Sequence, residues 1–111
     1  MFEKILKMAE AHREKMGRVE GTTGKRRDIF LFTLSTCMWC KMGKKWLKER
    51  GYAYTFLDVD TIPVDEKNRL KEDTGKLTGV QVRYPFLVTS EDKWHSGYDT
   101  TAWEEILGEK K

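Results

Sequence analysis

The chain has 111 residues, of which 39% are hydrophobic and 35% are charged, and its formal net charge at pH 7 is +3. This length suits one compact domain, and the hydrophobic content excludes an intrinsically disordered chain. No run approaches the ~18 consecutive apolar residues of a membrane span, and the first residues include charged side chains where a signal peptide needs an apolar stretch. We therefore predict a soluble cytoplasmic domain with no membrane partner.

The N-terminal segment carries apolar residues at helical spacing, namely Phe2, Ile5, Leu6, Ala9 and Met16. Charged residues fill the positions between them, which predicts an amphipathic helix over about 17 residues that ends at Gly17. Residues 21–27 are polar, basic and glycine-rich, as in a linker. We predict that residues 1–27 form a helical extension with its linker, and that residues 28–111 form the main domain. The apolar face is expected to pack within the chain, so that the protein is a monomer.

From residue 28 onward, strand patterns alternate with helix patterns. Residues 29–34 are a continuous apolar run typical of a strand buried on both faces, and residues 40–50 read as an amphipathic helix that stops at Gly51. A second strand is predicted over residues 52–60, and a polar helix from Pro63 to about Thr74.

The last third of the chain predicts a hairpin followed by a helix. Residues 86–89 and 93–96 are strand-like segments separated by a short turn. The final helix is expected to begin between residues 99 and 101, with Thr101 and Glu104 spaced as a capping box. The order strand, helix, strand, helix, hairpin, helix indicates the α/β class.

The two cysteines of the chain, Cys37 and Cys40, lie three residues apart where the first of these strands meets the next helix. Backbone N–H groups and the helix dipole stabilise a thiolate at such a junction, so Cys37 is expected to be partly exposed with a lowered pKa. Cys40 lies one turn further on, close enough to attack a mixed disulfide on Cys37. The pattern indicates a redox pair with Cys37 as nucleophile and Cys40 as resolving thiol. Lys41 is the nearest lysine in sequence that could favour the thiolate.

Two other interpretations of the pair stay open. Both cysteines could be small buried hydrophobic residues, or they could be half of a metal site. A tetrahedral zinc site needs four ligands, and the chain adds only His12 and His95, with no second pair at ligand spacing. We therefore predict no metal site within one chain, although a cluster between two subunits could use one pair from each.

Three separated motifs resemble the glutaredoxin family of the thioredoxin-fold superfamily, over residues 28 to 107. They are Cys37-Met38-Trp39-Cys40, Tyr84-Pro85 and Gly97-Tyr98-Asp99. The resemblance implies a thioredoxin fold with a central four-stranded mixed sheet flanked by helices, here with an extra N-terminal helix. It also implies a cis Tyr84-Pro85 bond beside the dithiol, where an extended substrate or glutathione could pair with the backbone.

The residues around the dithiol combine features of two subfamilies. Glutathione-using glutaredoxins have proline and an aromatic residue between the cysteines and Thr-Val before the cis-proline, whereas this chain has Met38-Trp39 and Arg83-Tyr84. The segment 96–98 resembles the Ser-Gly-Phe segment of NrdH-like redoxins, and Asp99 matches the acidic residue with which glutaredoxins hold the glutathione amino group. Asp99 could instead cap the last helix. The candidate substrate- or glutathione-binding residues are Trp39, Lys41, Arg83, Tyr84, Pro85, Gly97, Tyr98 and Asp99.

The expected function is that of a dithiol–disulfide oxidoreductase that reduces protein disulfides, with glutathione mixed disulfides as a further substrate class. We expect no tightly bound cofactor and no metal. Glutathione, a reductase of the thioredoxin-reductase type or a ferredoxin-linked reductase could supply the electrons. The alternative is a carrier in which Cys37 ligates an iron–sulfur cluster shared between subunits. Basic residues at 25–27 and 44–48 suggest nucleic-acid contacts, but a net charge of +3 disfavours that partner.

Overall fold

The computed structural model describes residues 1–22 and 28–108. Its helices and strands follow in the order α1 (Phe2–Glu10), β1 (Met16–Val19), β2 (Ile29–Thr33), α2 (Met38–Glu49), β3 (Tyr54–Asp58), α3 (Val64–Thr78), β4 (Phe86–Thr89), β5 (Trp94–Ser96) and α4 (Thr100–Ile106). Single 3₁₀ turns precede β1 and follow β3. Most of the predicted linker, including its basic residues 25–27, lies outside the described residues. No described helix is long and apolar enough to cross a membrane.

The strands form one mixed sheet in the order β1-β3-β2-β4-β5. Strands β2 and β3 are parallel, and every other neighbouring pair is antiparallel. All five residues of β2 are buried, as expected for a central strand that is covered on both faces. The mixed sheet of the thioredoxin fold is confirmed, with one strand more than the four expected.

Each face of the sheet carries its own hydrophobic layer, because successive side chains of a strand point to opposite faces. Phe30 and Phe32 of β2 face α1 and α3, whereas Ile29 and Leu31 face α2 and α4. Helix α1 therefore packs its apolar face within the chain, as the sequence predicted. Its buried residues are Phe2, Ile5 and Ala9.

The prediction that the first helix extends to Gly17 is wrong. Helix α1 ends at Glu10, and Met16–Val19 forms the edge strand β1, in which Met16 pairs with Leu57 of β3. A Cβ atom built at Gly17 would lie 2.4 Å from the Phe56 ring, so glycine lets this ring cover the strand. The fifth strand thus comes from the segment that the sequence assigned to a helix.

The end of α3 and the cap of α4 also differ from the predictions, although α4 begins within the predicted range of 99 to 101. Helix α3 continues past Gly75 to Thr78 and ends at Gly79, whose φ of +75° suits a glycine C-cap. Helix α4 has Asp99 as its N-cap, with the Asp99 carboxylate accepting the Ala102 N–H at 3.1 Å. The predicted capping box at Thr101 and Glu104 is therefore wrong, because the helix starts earlier than Thr101.

Candidate active site

The dithiol lies where β2 gives way to α2. Cys37 is the N-cap of α2, and its Sγ accepts the backbone N–H of Cys40 at 3.4 Å. The Sγ of Cys40 in turn accepts the backbone N–H of Leu34 at 3.4 Å. Both cysteines are free thiols; Cys37 is partly exposed, whereas Cys40 is fully buried. Only the Cys37 sulfur is accessible to a large reagent.

The protonation of Cys40 follows from its surroundings. Burial and, to a smaller extent, a hydrogen bond with Cys37 together raise the pKa of Cys40 to about 12, since both favour the neutral thiol. The Leu34 N–H and the positive charge of Lys44 act in the opposite direction. At neutral pH Cys40 is therefore a neutral thiol that can donate to Cys37, and the two sulfurs are chemically different.

A proline loop covers the dithiol from the side of β4. The Tyr84–Pro85 peptide bond is cis, as the resemblance implied, and Pro85 is buried against α2, 3.4 Å from a Cβ built at Gly43. Tyr84 is half-buried, and burial, with a smaller contribution from the Cys40 thiolate that forms at high pH, raises the pKa of its phenol to about 12. The phenol is thus a neutral hydroxyl close to the buried sulfur.

Hydrogen bonds fasten this loop to the segment that follows β5. The backbone N–H of Arg83 donates to Ser96 Oγ at 2.7 Å, and the Ser96 hydroxyl donates to the carbonyl of Gln81 at 2.8 Å. The N–H of Gly97 donates to the carbonyl of Pro85 at 3.0 Å. Gly97 has a φ of +95°, which favours glycine at this position. The three sequence motifs are therefore joined at one end of the sheet.

A row of aromatic rings extends from the rim of the site into the core. Trp39 stacks on Tyr98 with ring centroids 6.0 Å apart, and Tyr98 meets the edge of Trp103 at 5.3 Å. Trp103 then contacts Trp46 at 5.8 Å and donates its indole N–H to the carbonyl of Gly97. Trp39 is 56% exposed and Trp103 is fully buried. The row therefore fixes Tyr98 beside the dithiol helix.

The charged candidates lie at the exposed margin of the site. Lys41, Arg83 and Asp99 are all exposed. Within residues 1–22 and 28–108, neither Lys41 nor Arg83 forms an ion pair. The Asp99 carboxylate caps α4. The geometry thus gives Asp99 a structural role and leaves the two cations unengaged.

Asp60, which the sequence did not single out, holds the loop before Cys37. Its carboxylate accepts the backbone N–H of Ser35 at 2.9 Å and also accepts the Ser35 hydroxyl. These hydrogen bonds lower the pKa of Asp60, because they stabilise the charged form. Asp60 therefore anchors the turn on which Cys37 lies.

A second unpredicted group lies beneath α2 and consists of Thr33, Lys44 and Asp58. Lys44 Nζ is 3.1 Å from Asp58 Oδ1, which also accepts the Thr33 hydroxyl. Asp58 is the last residue of β3 and Asp60 lies two residues beyond it, and the carboxyl ends of adjacent parallel strands meet at one edge of a sheet. Applied to the two strands predicted from the sequence, this rule could have identified Asp58 and Asp60 as residues near the dithiol.

No group of three or more His, Cys, Asp or Glu side chains that could hold a metal ion occurs in the described part of the chain. Within these residues, neither His12 nor His95 therefore lies where it could bind a metal ion together with the two cysteines. A cluster ligated by Cys37 would need further ligands from outside them.

Known proteins resemble the chain in sequence and in fold. Residues 29–82 match the protein-family model described as Glutaredoxin. The chain is 26% identical to the glutaredoxin from Methanosarcina mazei Go1, with a TM-score of 0.65 over 85% of this chain and 88% of that one. Two further structures are similar to this chain. Methanosarcina acetivorans methanoredoxin has 26% identity and a TM-score of 0.58, over 73% of this chain and 84% of that one. A glutaredoxin from Archaeoglobus fulgidus has 25% identity and a TM-score of 0.61, over 71% of this chain and 84% of that one. A search of the curated proteins found no match.

Proposed function

Because the chain belongs to the glutaredoxin family, we propose that it is a dithiol–disulfide oxidoreductase that reduces disulfides of other proteins through Cys37 and Cys40. The observation that carries this proposal is the asymmetry of the pair. One sulfur is partly exposed at a helix N-terminus, and the other is buried and kept protonated one turn away. A thiolate at a helix N-terminus interacts favourably with the helix dipole.

The proposed reaction has two steps. First, the Cys37 thiolate attacks one sulfur of the substrate disulfide, the S–S bond breaks, and the departing substrate thiolate takes a proton from water. Second, Cys40 loses its proton and attacks the Cys37 Sγ, which releases the second substrate thiol and leaves a Cys37–Cys40 disulfide. Two electrons pass from the dithiol to the substrate in this sequence. Cys37 is the nucleophile of the first step because Cys40 is buried.

The exposed surface beside Cys37 supports a protein as the substrate. Met38, Trp39 and Met42 are 69%, 56% and 41% exposed, and all three lie on the first two turns of α2. Exposed aromatic and methionine side chains are enriched where proteins meet partners. We propose that this apolar rim contacts the substrate chain, with Lys41 and Arg83 at its margin and with Tyr84 and Tyr98 beside the dithiol.

Glutathione remains a proposed reductant and a source of mixed-disulfide substrates, bound along Tyr84-Pro85 and Gly97. Use of Asp99 for the glutathione amino group would have to be compatible with its helix-capping hydrogen bond. A thioredoxin-reductase-type or ferredoxin-linked reductase is the competing electron donor. We further propose that the protein acts as a cytoplasmic monomer without a tightly bound cofactor.

The test is reduction of insulin disulfides by the wild type, Cys37→Ser and Cys40→Ser, driven in parallel by each candidate reductant. We expect Cys37→Ser to lose activity, and Cys40→Ser to accumulate a mixed disulfide on Cys37 that mass spectrometry detects. Activity that survives in Cys37→Ser would contradict the proposal. The iron–sulfur alternative would instead give a protein, purified without air, that contains iron and sulfide and absorbs visible light.

A further inference from the structure

A partly buried polar network, made of Thr33, Lys44 and Asp58, lies between α2 and the ends of β2 and β3. The ammonium of Lys44 is 3.1 Å from Asp58 Oδ1 and 3.8 Å from the centroid of the Phe56 ring. The Thr33 hydroxyl donates to the same carboxylate oxygen at 2.5 Å. The side chains of Lys44 and Asp58 are only 22% and 18% exposed. These contacts fix the position of a charge that a surface lysine would hold loosely.

This network adjoins Cys40 from two directions. Lys44 follows Cys40 by four residues on α2, and side chains at that spacing lie on one helix face with Cβ atoms about 5–6 Å apart. Thr33 directly precedes Leu34, whose N–H donates to Cys40 Sγ at 3.4 Å. The neighbouring lysines Lys41 and Lys45 are exposed. Among the α2 lysines, Lys44 is the one whose charge acts on Cys40.

The second step of the proposed reaction creates a difficulty that this network can ease. Cys40 must lose its proton inside the protein, where a negative charge lacks water and is costly. A cation fixed one helical turn away lowers that cost, because charges interact strongly at low exposure. Asp58 neutralises the ammonium in the resting state, so no unpaired charge is buried. The other titratable groups beside Cys40 are Cys37, the N-cap of α2, which raises the pKa of Cys40, and the phenol of Tyr84 on the proline loop, whose own pKa Cys40 raises.

We propose that Lys44, held in place by Asp58, is a positioning residue for the second step: its ammonium group stabilises the thiolate that forms on Cys40 as Cys40 displaces the substrate from Cys37. This inference rests on the proposed function. Lys44 keeps its own proton throughout. The proton that leaves Cys40 passes to water, and the released substrate thiolate takes up one proton, so the step is balanced. Replacing Lys44 by a neutral residue removes the cation and leaves the Asp58 carboxylate unopposed, and both changes disfavour a negative sulfur.

The test separates the two steps by rapid mixing of the reduced protein with excess dithiodipyridine, a neutral disulfide that releases one coloured thiopyridone in each step. The first release depends on reagent concentration, and the second reports the intramolecular attack by Cys40. For Lys44→Met we expect the second rate to fall severalfold and its pH profile to move upward, because a higher thiol pKa lowers the thiolate fraction more than it raises the nucleophilicity of the thiolate. The first rate should not change.

Three further variants make the outcome specific. Lys44→Arg keeps the charge and should restore the second rate, while Lys45→Met removes an exposed lysine of the same helix and should have no effect. Lys44→Gln keeps a hydrogen-bond donor for Asp58 and provides the neutral variant if Lys44→Met does not fold. The inference is overturned if a folded neutral variant resolves at the wild-type rate, if both rates fall equally, or if Lys45→Met is equally slow. A wild type that releases no second thiopyridone would overturn the proposed dithiol function itself.

Discussion

Helix α2 presents two faces that begin at the same dithiol turn. Its outward face exposes Met38, Trp39 and Met42, and its inward face buries Cys40 together with Gly43, Trp46 and Leu47. The inward side chains touch the cis-proline loop and the core, so their positions are set by neighbours on every side. The outward ones have few neighbours and are free to contact another molecule. The same helix therefore separates the residues that position the chemistry from those that meet a partner.

Two tryptophans show this contrast within one row of rings. Trp39 and Trp103 both contact Tyr98, yet the first is 56% exposed and the second is fully buried. A buried aromatic side chain contributes far more to the free energy of unfolding than an exposed one does. Residue type alone thus does not tell which tryptophan stabilises the fold and which one serves recognition. Four predictions test this contrast between buried and exposed side chains.

The largest effect is expected for Trp103→Ala. Removing a fully buried indole leaves a cavity against Trp46 and Gly43 and should lower the free energy of unfolding by about 3–5 kcal/mol. Urea-induced unfolding followed by circular dichroism measures this change. A loss below ~1 kcal/mol would show that the inward face of α2 is not the stabilising one.

A smaller loss is expected for Gly43→Ala. The added Cβ would lie 2.8 Å from Trp103 Cη2 and 3.4 Å from Pro85 Cγ, so the ring must shift. Overpacking of this kind costs about 1–3 kcal/mol in unfolding free energy. The matched control is the same change in a Trp103→Phe background, where the colliding ring atoms are gone and the penalty should shrink. Equal penalties in both backgrounds would contradict the contact.

Trp39→Ala should hardly affect folding, because substitutions at exposed positions usually change the unfolding free energy by less than ~0.5 kcal/mol. Loss of the apolar rim should instead raise the KM for a protein disulfide severalfold. Reduction of hydroxyethyl disulfide, which is too small to need the rim, should proceed at the wild-type rate. An equal decrease with both substrates would assign Trp39 to the chemical step and not to recognition.

The smallest effect concerns Asp60 and the acid stability of the turn before Cys37. Hydrogen bonds from Ser35 lower the pKa of Asp60 in the folded state. Its contribution to stability is therefore present above the unfolded pKa of about 3.9, and is lost as the pH falls through the lower folded value. Asp60→Asn should flatten the decline of the unfolding free energy in this acid range, which urea titrations at several pH values measure.

Asp92 provides the control for that experiment. The hydrogen bond from the Phe2 N–H lowers the pKa of Asp92, as the Ser35 hydrogen bonds do for Asp60, but Asp92 lies away from the dithiol. Asp92→Asn should therefore flatten the same acid range without changing the alkylation rate of Cys37. Asp60→Asn should change that rate, because it releases the loop that carries the nucleophile. An unchanged alkylation rate in Asp60→Asn would show that Asp60 affects acid stability but does not position Cys37.

The local pattern of the sequence was sufficient for much of this protein. The order of strand and helix patterns predicted the α/β class, and the resemblance of three motifs to glutaredoxins implied the thioredoxin fold and the place of the candidate site. These signals work because side-chain periodicity, turn chemistry and helix starts depend on residues that are close in sequence.

Contacts between residues that are distant in sequence are visible only in the folded chain. The local pattern assigns Met16 to a helix, whereas in the fold it pairs with Leu57 of β3 as part of a strand. Gly17 is needed because the Phe56 ring lies against its Cα. Lys44 looks like one of several solvated lysines until Asp58 and Phe56 are brought beneath α2. Edge pairing and ion pairs depend on contacts between residues that are distant in sequence, which no local pattern encodes.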